Sequence, residues 1–194
     1  YIVGLMTSLL SLSGKEIVLE VGTGSGYQAS ILSLLCRRVY TIERIETLHH
    51  FSNQKFKELS LSNITAKHEN GSNGWPEASP FDRIILTCAI KEIPKQLFLQ
   101  LKVGGILVGP EILDNKDQVL NMYTHIEKNK FEKKSVEKKS VHRCTEAMLS
   151  AHRRLFHRGI RLRGTYRSYG TLGESRLLTA EQEKVHPTSS MSSD

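Results

Sequence analysis

The segment Ile17-Val-Leu-Glu20-Val-Gly22-Thr-Gly24-Ser-Gly26-Tyr-Gln28 runs from a β-type apolar stretch through three alternating glycines into a helical pattern. Glycine allows a tight turn and lets a ligand lie directly against backbone amides. A glycine-rich turn between strand and helix is where open α/β sheets present their ligand crevice. Dinucleotide sites use such turns as well. Here, however, the spacing is Gly-x-Gly-x-Gly, and an acid, Glu20, stands two residues before the first glycine. An acid at that place repels a pyrophosphate and favours a ligand carrying positive charge.

Working outward, the pattern alternates strand and helix, as a parallel sheet requires. Upstream, Ile2, Val3, Leu5, Met6, Leu9 and Leu10 mark one face of an opening helix, with Gly14 as its stop. Downstream, a helix is expected from Tyr27 to Leu35, a strand over Val39–Glu43, a helix over Glu46–Leu59, and strands over Asn63–Lys67 and Phe81–Thr87. Pro94 opens a helix through Leu101, Gly104-Gly105 ends it, and Ile106–Val108 forms a fifth strand. Gln118–Ile126 alternates as an antiparallel strand at the sheet edge would. The fold class expected is α/β, a doubly wound, mostly parallel sheet.

Glu43 closes the second strand about 20 residues after the glycines, where a carboxylate reaches both ribose hydroxyls of a bound nucleoside. Alone, Glu43 is as readily a surface acid; beside the glycine turn, the ribose reading is preferred. An adenosyl ligand with a sulfonium and an amino group, S-adenosyl-L-methionine, satisfies Glu20 and Glu43 together.

The net charge of +7 is unevenly placed. Residues 1–125 hold 12 Lys and Arg against 12 Asp and Glu, whereas residues 126–194 hold 15 against 8. A neutral domain with a basic appendage does not favour nucleic acid. No apolar run is long enough to span a bilayer, so no membrane partner is expected. The three cysteines form no CxxC pair, and the eight histidines have no ligand spacing, so no metal is expected. A reducing cytoplasm is the expected compartment. Cys88, in an apolar run, is expected in the core, and the histidines on the surface.

Leu19-Glu-Val-Gly-Thr-Gly-Ser-Gly-Tyr-Gln28, Val39-Tyr-Thr-Ile-Glu-Arg44, Gly74-Trp-Pro-Glu77 and Pro80-Phe-Asp-Arg-Ile-Ile85 resemble, in order and spacing, the protein-L-isoaspartate O-methyltransferase family. The opening Tyr1-Ile-Val-Gly-Leu-Met-Thr7 resembles the segment following that family's active-site loop. The resemblance runs from Tyr1 to about Ile126. It implies a Rossmann-like class I methyltransferase fold and methyl transfer from S-adenosyl-L-methionine to the carboxylate of L-isoaspartyl residues in damaged proteins. The implied cofactor-binding residues are Glu20, Gly22, Thr23, Gly24, Ser25, Gly26, Glu43, Arg44, Glu69, Asn70, Gly71 and Thr87. Thr87-Cys88-Ala89 resembles the family's Thr-Ala-Ala, and the resemblance implies that it borders the transferring methyl.

Three departures accompany the resemblance. The family's Ser/Thr-bearing substrate loop lies before the segment matching Tyr1, so the chain is expected to be truncated, its catalytic residue unassigned and its own turnover reduced or absent. Glu69-Asn70-Gly71 stands where the family has Gly-Asp-Gly, whose Asp accepts from the adenine end of the cofactor. The family's closing Phe-Val-Pro-Leu is replaced by basic sequence. The expected organisation is a cofactor-binding domain over 1–126, an edge strand or low-complexity repeat over 127–143, and a basic, largely disordered tail over 144–194. The middle segment contains Glu-Lys-Lys-Ser-Val twice, at 132–136 and 137–141. A monomer acting on isoaspartyl-bearing proteins or peptides is expected. A cofactor-binding module without catalysis, or a small-molecule methyltransferase, are the alternatives.

Overall fold

The computed structural model describes residues 1–115 and 117–137. The expected tail over 144–194 and the second pentapeptide copy beyond Glu137 lie outside the described residues. Seven strands form one sheet in the order β3-β2-β1-β4-β5-β6-β7. They are β1 (Ile17–Val21), β2 (Arg38–Glu43), β3 (Ile64–His68), β4 (Phe81–Leu86), β5 (Leu101–Ile112), β6 (Gln118–Glu127) and β7 (Lys130–Glu137). The first five are parallel, and β6 and β7 return antiparallel. The helices are α1 (Ile2–Leu9), α2 (Tyr27–Ser33), α3 (Glu46–Glu58) and α4 (Lys95–Leu99).

β1 sits at the centre, paired in parallel with β2 and β4. A central strand covered on both faces needs apolar residues at nearly every position, and Ile-Val-Leu-Glu-Val supplies them except at Glu20. One face packs Val18, Val39, Ile85, Val108 and Leu120 against Ile2, Met6 and Leu10 of the α1 segment, Ala29 and Leu32 of α2, and Phe56 of α3. The other packs Leu19, Ile42, Ile84, Leu86 and Leu107 against Ile93, Leu97 and Trp75. Each fully buried Leu or Ile contributes roughly 1.5–3 kcal/mol through removal from water. Among the described residues, no helix is long and apolar enough to cross a membrane.

The expected α/β sheet and its first four strands agree with the structure to within a residue or so at each end. The C-terminal half differs. Gly104-Gly105 does not end a helix, because α4 stops at Leu99 and β5 begins at Leu101. The register jumps from Phe81 opposite Leu101 to Arg83 opposite Ile106, so the glycines lie in a bulge of β5, with Gly104 at φ +78°. A left-handed glycine serves a helix end and a bulge equally well, and the local sequence does not distinguish them. β6 is not the sheet edge, since β7 pairs along it and takes that place. Charges along β7 suit an edge, where an unpaired backbone row otherwise invites association. α1 ends at Leu9, well before Gly14.

Candidate functional site

Side chains alternate across a strand, so Glu20 shares a sheet face with Val18, and Thr41 and Glu43 share it with Val39. Thr87, just past β4, shares it with Ile85. The register sets Glu20 beside Thr41 on one side and Ile85 on the other. These polar residues therefore gather at the carboxyl ends of β1, β2 and β4.

The glycine turn is built against them. Gly22 has φ +99°, and a Cβ there would lie 2.5 Å from Thr87 Oγ1. The Thr87 hydroxyl donates to the Gly22 carbonyl oxygen, with the Val21 carbonyl also within 3.1 Å. Gly26, at φ +81°, opens α2 where a Cβ would meet the Phe56 ring at 2.7 Å and Ser52 at 3.2 Å. Between them the Gly24 amide donates to Glu43 Oε2 at 2.8 Å, while the Ile45 amide donates to Glu43 Oε1 at 2.9 Å. Each carboxylate oxygen keeps a lone pair beyond those bonds. Glu43 is 5% exposed, so it is not the surface acid that its residue type alone allows.

Glu20 is wholly buried. Its Oε2 accepts from Thr41 Oγ1 at 2.5 Å, and Thr41 Oγ1 is 2.6 Å from Thr23 Oγ1. Its Oε1 has no hydrogen-bond partner among the described residues. Burial pushes the carboxyl up to about 8, the Thr41 hydroxyl works against that rise, and the Glu43 charge adds to it.

The remaining expected residues form the rim. The Glu69 amide donates to the Glu43 carbonyl oxygen at 3.0 Å, and its side chain pairs with Lys67 at 2.5 Å. Asn70 Oδ1 accepts from both the amide and the hydroxyl of Ser72, at 3.1 and 3.0 Å, capping the 3-10 turn Gly71–Asn73. Arg44 is exposed, with its carbonyl 3.1 Å from His68 Nε2, and Ser25 is half-buried between Gly24 and Gly26.

Three expectations about single residues change. Cys88 is exposed rather than in the core, with its Sγ 3.9 Å from where a Gly22 Cβ would stand. It lies past the end of β4, where the chain has left the sheet interior. His125 is buried, stacked on Phe131 and 2.8 Å from the Leu101 carbonyl through Nδ1. His49 is half-buried 5.8 Å from the ring of His68. Trp75 packs edge-on against Tyr40 at 5.1 Å. Thr41 was not among the expected site residues. No local sequence signal marks it, because its partner Glu20 lies on a neighbouring strand 21 residues away in the chain. Among the described residues, no group of three His, Cys, Asp or Glu side chains is arranged to hold a metal.

The arrangement meets relatives at both the sequence and the structure level. A Parvibaculum lavamentivorans protein named protein-L-isoaspartate O-methyltransferase is 53% identical over 110 residues, covering 57% of this chain and 50% of that protein. The chain thus spans about half the length of that curated relative. A solved protein-L-isoaspartate O-methyltransferase superposes with a TM-score of 0.67 at 24% identity, over 71% of this chain and 44% of the other. That likeness concerns the fold. A Plasmodium falciparum chain described as a protein-L-isoaspartate O-methyltransferase, in complex with S-adenosyl-L-homocysteine, gives 0.57 at 25% identity, over 70% of this chain and 67% of that one. The family model for protein-L-isoaspartate(D-aspartate) O-methyltransferase matches residues 1–156, which take in the whole sheet, the glycine turn and Glu43. The chain belongs to the protein-L-isoaspartate(D-aspartate) O-methyltransferase family.

Proposed function

We propose that this chain is the cofactor-binding part of an enzyme that transfers a methyl group from S-adenosyl-L-methionine to the carboxylate of L-isoaspartyl residues in damaged proteins. The observation that carries the reading is Glu43, buried at the end of β2 with its oxygens held by the Gly24 and Ile45 amides beside the glycine turn. The site also fits the cofactor at its charged end, because Glu20 Oε1 is buried without a partner. Gly22, Thr23, Gly24, Ser25 and Gly26 would lie along the amino-acid part. Glu43 and Arg44 would flank the ribose, Glu69, Asn70 and Gly71 the adenine, and Thr87 the transferring methyl.

When bound, the cofactor supplies a methyl group on a sulfonium, so no general acid is needed for its leaving group. An isoaspartyl carboxyl has a pKa of roughly 4 and is ionised at neutral pH, ready to attack in line. The chain contributes alignment and exclusion of water rather than proton transfer at the substrate. Residues 1–126 are the cofactor-binding domain in this reading. Its partners are isoaspartyl-bearing proteins or peptides, it acts as a monomer in a reducing cytoplasm, and no nucleic acid is required.

Binding of S-adenosylhomocysteine by calorimetry, and transfer of labelled methyl to an isoaspartyl peptide by a chain extended upstream, test the proposal. Binding with transfer is expected. Absence of both overturns it. The second reading, a binding module, is favoured by Asn70, whose oxygen is already committed to Ser72 and leaves the adenine amino group without that acceptor. Tight binding without transfer by the extended chain would select it.

A further inference from the structure

The polar chain Glu20–Thr41–Thr23 lies under the glycine turn and is not needed to form the sheet. We propose that Thr41 is a positioning residue that holds Glu20 toward the cationic end of the cofactor and couples the arrival of that charge to release of a proton from Glu20. The inference rests on the cofactor reading above and adds to it a role for Thr41 and a linked proton.

The geometry leaves Glu20 few choices. Its neighbour on β4, Ile85, offers no donor, and among the described residues Thr41 on β2 provides its one side-chain hydrogen bond. Oε1 is buried with nothing to accept from among the described residues. No cation comes from the helices over this face: α1 (IVGLMTSL) and α2 (YQASILS) contain no Lys, Arg or His, and the Tyr27 phenol is exposed. On α3, Ser52 and Phe56 pack beneath Gly26, and His49 lies toward His68 and Glu43. Arg83 of β4 turns to the opposite end of the strand, donating to the Leu10 carbonyl at 2.5 Å. Among the described residues, the charge that acts on Glu20 is that of another acid, Glu43. A buried carboxyl so placed keeps its proton until a positive group arrives.

The two hydroxyls transmit that change. Each carries one hydrogen, so the direction of the chain is determined by Glu20. With Glu20 ionised, Thr41 must donate to Oε2 and Thr23 must donate to Thr41. With Glu20 protonated and its proton on Oε2, the acid donates to Thr41, and Thr41 donates to Thr23. Thr23 belongs to the glycine turn itself, so the turn's hydrogen-bonding character depends on the protonation of an acid beneath it. Loss of the Glu20 proton to solvent balances the arrival of the ligand's ammonium group.

The test is S-adenosylhomocysteine affinity from pH 6 to 8, measured by calorimetry in two buffers of different ionisation enthalpy. For the unsubstituted chain, affinity should rise by close to tenfold from pH 6 to 7 with close to one proton released on binding, and both the rise and the proton release should fall off toward pH 8 as the free acid ionises. Glu20→Gln should bind with no pH dependence from this group and release no proton. Thr41→Val should bind about tenfold more weakly at pH 7, because the bond favouring the ionised acid is gone, and Thr41→Ser should restore both affinity and pH profile. Thermal unfolding of each variant accompanies the series, and proton release by the unsubstituted chain needs no variant at all. Binding without proton release, or a Thr41→Val profile equal to that of the unsubstituted chain, overturns this inference alone. No binding at any pH overturns the cofactor reading and this inference with it.

Discussion

Gly22 is where backbone and side chain constrain one another most tightly, because its φ of +99° disfavours any L side chain and Thr87 fills the space beyond. Gly22→Ala should therefore lower S-adenosylhomocysteine affinity by at least about 100-fold, roughly 3 kcal/mol, with helix and strand content retained by circular dichroism. A second residue-scale prediction concerns Glu16, far from the site. Burial opposes its ionisation, but the Ser13 hydroxyl at 2.6 Å and the amides of Ser13 and Lys15 outweigh it and hold the carboxyl down to about 2. A depressed carboxyl stabilises the fold above its unfolded pKa, and that contribution is lost as pH falls from about 4.5 toward 2. Glu16→Gln should cost about 2 kcal/mol at pH 7 in urea unfolding, with the difference vanishing near pH 2. An undiminished difference at low pH would show that the hydrogen bonds do not act through charge. Among the site residues, Glu20, Glu43 and the glycines were readable because residue type and spacing carry their chemistry. Thr41 was not, because a threonine in a strand is ordinary until its neighbour across the sheet is known.

At the scale of elements, most boundaries follow local rules, and the exceptions have one origin. α2 ends at Ser33, short of Leu35, and Asn63 at the mouth of β3 donates from Nδ2 to the Ser33 carbonyl at 2.8 Å. That bond closes the helix end with a residue distant in sequence, which periodicity does not reveal. Asn63→Ala should destabilise the chain by about 1–2 kcal/mol in urea unfolding while leaving S-adenosylhomocysteine affinity unchanged, since the bond lies at the far end of α2 from the glycine turn. The Gly104-Gly105 bulge and the interior place of β6 have the same character. Each depends on which strand lies alongside: β4 for the bulge, β7 for β6. Gln100 is a further case. Its amide oxygen accepts from the Trp75 amide at 2.7 Å and its nitrogen donates to the Asn73 carbonyl at 2.8 Å, tying the Gly74-Trp75 loop to the end of α4.

Across the whole molecule, one sheet with two apolar faces carries the fold, and the single acid in its central strand costs stability for the sake of the site. Glu20 is raised to about 8 by burial, with Thr41 opposing and Glu43 adding. In the absence of ligand, the folded state then binds one more proton than the unfolded chain between pH 4.5 and 8, so this group's contribution weakens as pH rises through that window and levels off above it. Glu20→Gln should remove that slope, and its melting temperature should gain on that of the unsubstituted chain from pH 5 to 8. A constant difference would refute the assignment. The sequence by itself determined the alternation of strands and helices, the glycine turn, and Glu20 and Glu43 as its acids, because period, spacing and residue chemistry act over neighbouring positions. Only the tertiary structure decided that Glu20 is wholly buried, that Thr41 links it to Thr23, and that Glu43 is held by the Gly24 and Ile45 amides. Burial and hydrogen-bond partners arise from strands that are distant in the chain and adjacent in the sheet.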